Sequence, residues 1–220
     1  MEPIEWEPWL TDAGLTTERF PNGNVLGSTA EAIALLSFTG AEPEMRTRLC
    51  LAAQRYVSGP GVYSRYPVDE RIEDTQIDDY LRVAATCGVW ANRILKRMTE
   101  TFGFLSIDGK PRARQWFYRF PGFVAHCKFS ACLFVGVFGR LAWAASVWLC
   151  TRKPVTNQDA WTQTALMILT YKSGSQRSSL CDWACDYWQK KLPKPVSEIC
   201  ADYIGDASHP LVCLYREVMG

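Results

Sequence analysis

From Ser175 to Leu192 the apolar residues fall at Leu180, Trp183, Ala184, Tyr187 and Trp188. That is the i, i+3, i+4, i+7, i+8 spacing that puts side chains on one face of an α-helix. Asp186 and Lys190 sit four apart on the other side, with the acid first, the better order for an ion pair on a helix. The same period recurs along the chain, and proline or glycine closes each segment. Ser28 reads as the cap of a helix with Glu31 three residues on, a capping-box spacing, and that helix ends near Gly40. Pro43 opens the next helix, where its missing N–H costs nothing, and Met45, Leu49, Ala52 and Tyr56 make its apolar stripe. Further helices are expected near Thr75 (with a continuation or a new helix from Trp90), from Pro121, from Arg140, from Asn157, over Pro195 to Tyr203 and over Pro210 to Val218, about nine in all. One segment, 104 to 120, reads as β structure around the turn Asp108-Gly109, and Pro111 keeps any strand there short. No strand–helix alternation appears, which excludes a parallel sheet. The expected fold is all-α: paired antiparallel helices over residues 28–220, forming one domain. An irregular arm, residues 1–27, precedes it, pinned down by Trp6, Trp9, Leu10 and Phe20.

Length and composition narrow the function. The 220 residues suffice for a core without staples, and 48% hydrophobic against 21% charged residues describes a globular chain rather than a disordered one. Net charge is +1 and no basic block stands out, so no nucleic-acid partner is expected. Nine Trp, nine Tyr and ten Phe must be mostly core, with some left over for a protein interface or a groove. The nine cysteines lie mostly among apolar residues with no Cys-x-x-Cys pair. They read as reduced, buried thiols of a protein folded inside a cell. The acidic start "MEPIEWEPWL" does not read as a signal peptide. The most apolar stretch, Phe129 to Cys150, is broken by Arg140 into runs half the ~20 residues of a membrane span. A buried helical hairpin is the expected structure there, and a membrane hairpin is the third functional class.

The densest charge lies at 69–79, where Asp69, Glu70, Glu73, Asp74, Asp78 and Asp79 follow Tyr63, Arg65 and Tyr66. Much of this is a helix entrance. Thr75 can cap, Asp78 is then at N3, and Asp78 pairs with Arg82 one turn on. Asp79 lies off that line beside Tyr80. Carboxylates with tyrosine and guanidinium neighbours at one mouth are how sugar sites are often built. A glycan-binding site of Arg65, Tyr63, Tyr66 and Asp79 is therefore the second reading, with Asp78 or Asp79 as acid/base. The spacing of a calcium loop is absent. His126 sits beside Cys127 in an apolar helix, where neighbours point about 100° apart and make no dyad. It stays a catalytic candidate only if the fold brings a partner to it. His209, before Pro210, reads as a cap or a loop-packing residue. No metal or other cofactor is expected from two distant histidines.

The stretches "PGVYSRYP" and "QIDDYLRVAA", with "NGNVLGSTAEAIALL" before them and "SHPLVCLYRE" after, resemble helical proteins encoded by tailed bacteriophages. Their pattern is similar to α/α toroid folds built from helical hairpins, some of which process polysaccharides. The resemblance implies a partial toroid-like or compact helical array. It also implies synthesis in the host cytoplasm, incorporation into the virion, and virion or host proteins as partners. Ile77 and Arg82 depart from the pattern, where a polar residue and a glycine are expected. The departures fall on the acidic helix start, so a contact role survives them better than catalysis does.

Overall fold

The computed structural model describes residues 3–18, 25–57, 83, 90, 93 and 186–219. All of the extended secondary structure in these residues is helix: a 3-10 turn at Glu7–Trp9, then α1 (Val25–Thr39), α2 (Pro43–Val57), helical residues at 186–189, α3 (Val196–Ile204) and α4 (Pro210–Met219). A single antiparallel bridge joins Leu10 and Thr16. The all-α expectation holds over these residues, while the β segment expected at 104–120 lies outside them.

Proline and glycine set the ends where the sequence predicts them. Pro43 is the first residue of α2, Pro210 the first of α4, and Pro195 immediately precedes α3. Gly40 stops α1 in the left-handed region at φ 72°, its N–H closing on the Leu36 carbonyl at 3.0 Å. The start of α1 is a correction. Ser28 does not cap it: the helix is already formed at Val25, and Ser28 and Glu31 are buried inside it.

Among the described residues α1 is the central helix. Thirteen of its fifteen residues are buried, too many for a one-sided amphipathic helix. It packs against α2 and α4, and α4 packs against α3. The two ends of the chain thereby share one core, with Leu26, Leu35 and Leu36 of α1 meeting Leu49 of α2 and Leu211, Leu214 and Tyr215 of α4. Val83 and Trp90, both helical, belong to the same cluster. Trp188 does too, whereas Tyr187, expected on that face, is 46% exposed and carries Lys191 over its ring at 4.4 Å.

The arm is pinned as predicted at Trp6, which is buried, and at Leu10, which packs half-buried on the core. Its main tie is Glu42. This residue takes φ 42°, unusual for a non-glycine, and its carboxylate accepts the Trp6 indole N–H at 2.5 Å and the Ile4 N–H at 3.0 Å. Glu42→Ala is expected to lower stability by about 2 kcal/mol, read from the urea midpoint, because both bonds go and the strain remains. Glu42→Gly should lose roughly 1 kcal/mol less, since glycine adopts that φ freely.

Candidate functional site

Tyr63, Arg65, Tyr66, Asp78, Asp79 and His126 all lie outside the described residues, as does the stretch 129–150. Within the described residues two arrangements of chemically able side chains exist. One is closed and one is open.

The closed one lies under the arm. Glu31 on α1 and Tyr215 on α4, 184 positions apart, are both fully buried, and the Tyr215 hydroxyl donates to Glu31 Oε1. Thr29, two residues earlier on α1 and so on a different side of the helix, ties in the arm. Its hydroxyl accepts the Thr16 N–H at 3.0 Å, and its own hydrogen faces the carbonyls of Val25 (2.7 Å) and Thr16 (3.2 Å). His209 completes the cluster. Nδ1 accepts the Leu211 N–H at 3.1 Å, so the ring caps α4, in line with the role read from its place before Pro210. Nε2, carrying the ring hydrogen in that tautomer, donates to the Thr17 carbonyl at 2.7 Å. The edge of the pair is closed by Trp9, whose ring meets the imidazole at 64° and 4.4 Å between centroids. Burial pushes the His209 pKa down to about 4, opposed by the bond to Thr17 and by the charge of Asp206. Asp206 is itself held below its ordinary range by the hydroxyl and N–H of Ser208. The imidazole is therefore neutral near pH 7. With Glu31, Thr16, Thr29 and His209 all at 0% exposure, this cluster offers no entrance to a substrate. It organises the core.

The open arrangement lies on α2. A groove of about 690 Å³ runs between the turn Asp12–Gly14 and α2, lined there by Thr47, Arg48, Leu51 and Arg55. Gly14 takes φ 76° at the tip of the turn, and a Cβ there would lie 3.6 Å from that of Ala52, so the arm approaches α2 closely. A second groove of about 780 Å³ runs between Pro3–Trp6 and the start of α2. The two meet at Pro43, Glu44 and Arg48. Arg48 bridges to Glu7 at 2.7 Å. Both partners are well exposed, so the pair aligns more than it stabilises. Leu51 stands 62% exposed on the rim.

No protein-family model matches the chain, and no curated protein or solved structure matches it either. The site rests on its own geometry.

Sequence reasoning missed this surface, and the signal was present. The stripe Met45, Leu49, Ala52 holds: Leu49 and Ala52 are buried and Met45 packs half-buried on the core. Leu51 falls off that stripe, an apolar residue on the polar side of its helix. Among the described residues no group of three His, Cys, Asp or Glu is placed to hold a metal ion, and no helix is long and apolar enough to cross a membrane. The described cysteines, Cys50, Cys200 and Cys213, are joined in no disulfide, and burial pushes the Cys213 pKa up.

Proposed function

We propose that this chain is a phage-encoded helical binding module, a virion or accessory component acting through protein contacts, built as a partial ring of helix pairs. One observation carries the contact role. Two open grooves join along α2 and the arm, rimmed by Arg48 and Arg55, by Asp12 of the arm and by Glu44 of α2, with Leu51 exposed beside them. An exposed aliphatic among charges of both signs is the composition of a contact patch, with a small apolar centre and a polar rim. The buried cluster favours no second reading, because it admits no ligand. The phage setting comes from the resemblance of the motifs at 22–36, 60–67, 76–85 and 208–217.

The reading is tested by site-specific photo-crosslinking in infected cells. A crosslinking residue at Leu51 is expected to trap one or a few discrete protein partners. The same residue at Glu217, exposed on α4, serves as the control. Equal crosslinking from the two positions would remove α2 as the contact face.

A further inference from the structure

Residues 9–17 form a small hairpin. The Thr17 N–H closes on the Trp9 carbonyl at 3.2 Å, Leu10 bridges Thr16, and the Thr11 N–H closes on the Leu15 carbonyl at 2.8 Å. Its tip, Asp12–Gly14, is one wall of the groove of about 690 Å³. Its base is held by His209, which touches both ends at once: the ring lies against Trp9, and Nε2 reaches Thr17. We propose that His209 is a latch holding this hairpin in place, and that protonation of its ring releases the hairpin and with it the wall of the groove.

The chemistry is a single proton transfer. A proton from solvent adds to Nδ1, the one ring nitrogen that accepts a hydrogen bond. The new N–H then faces the Leu211 N–H across 3.1 Å, donor against donor. The cap is lost, and a positive charge is left in a site closed to water. Among the described residues the charged or titratable groups near the site are few. Asp206 on the same loop favours the charged ring, but it is committed to Ser208. Glu18, next to Thr17 in the arm, is buried. Glu31, on α1, engages Tyr215. Asp206 offsets part of the burial cost and leaves the ring far below its solution value. The imidazolium is relieved by moving to water, which takes it from beneath Trp9 and Thr17. Thr29 and the burial of Leu15 then remain as the hairpin's ties to α1 and the core. The groove wall makes the latch relevant to the proposed contact role, yet the latch is tested without any partner.

Hydrogen exchange of the full chain, corrected for the intrinsic effect of pH, reads the amides of 9–17 directly. Their opening equilibrium is expected to rise roughly twentyfold between pH 7 and pH 5, while the amides of α1 keep their protection. His209→Asn separates latch from cap. An asparagine keeps an oxygen for the Leu211 N–H but is too short to reach Thr17. In that variant the hairpin should be poorly protected already at pH 7, without the acid step, and α4 should stay helical. A wild-type hairpin whose protection tracks α1 at every pH overturns the latch. So does a His209→Asn hairpin as protected as the wild type. If the variant fails to fold, the wild-type profile alone decides.

Discussion

Glu31→Ala is expected to lower the unfolding free energy by about 3–5 kcal/mol, one of the two largest effects of any change considered. Two losses combine. The Tyr215 hydroxyl loses its carboxylate acceptor in a place water does not reach, which costs about 1–3 kcal/mol. The missing side chain also leaves a cavity in the middle of α1, where every neighbour is buried and little can collapse into it. Tyr215→Phe separates the two, because it removes the hydroxyl and keeps the ring; about 2 kcal/mol is expected. The double variant should cost less than the sum, since both single changes break the same bond. Urea unfolding with an unchanged slope is the measurement. A loss for Glu31→Ala under 1 kcal/mol would show that the Glu31–Tyr215 contact does not hold α1 to α4.

This residue also marks the boundary of what the sequence discloses. Helix ends at Gly40, Pro43, Pro195 and Pro210 are local chemistry, set by a missing N–H or a left-handed backbone, and each is legible from a few neighbours. Glu31 looks local as well, because Ser28 lies three residues before it. Its real partner lies 184 residues away, and nothing in the spacing of Ser28 and Glu31 announces Tyr215. His209 shows both halves of the matter. Its position before Pro210 foretells the cap it makes through Nδ1. Its hold on Thr17, 192 residues away, depends on tertiary folding alone. The open grooves were half-legible: Leu51 breaks the apolar stripe of α2, but only the arm's placement turns that break into a groove wall. The acidic stretch 69–79 lies outside the described residues, so its two readings stand as the sequence leaves them.

The second large effect follows from His209 and has a definite sign. Its folded pKa is about 4 against 6.5 for the free side chain, so the unfolded chain binds the proton more readily. The native state keeps its full advantage above pH 6.5, loses it progressively as the pH falls from 6.5 to 4, and loses no more from this group below that. Integrated over that window, the loss is on the order of 3 kcal/mol. Carboxylates add their own acid dependence, so the total slope is not diagnostic, and the difference from His209→Asn is. At pH 7 the asparagine variant should be less stable by about 2 kcal/mol, having lost the bond to Thr17 and the contact with Trp9. As the pH falls the wild type forfeits its advantage and the variant does not, so the two stability curves should meet near pH 5 and cross below it. Parallel curves from pH 7 to pH 4 would mean that the ring carries no buried proton penalty, and that Trp9 and Thr17 are held by packing alone.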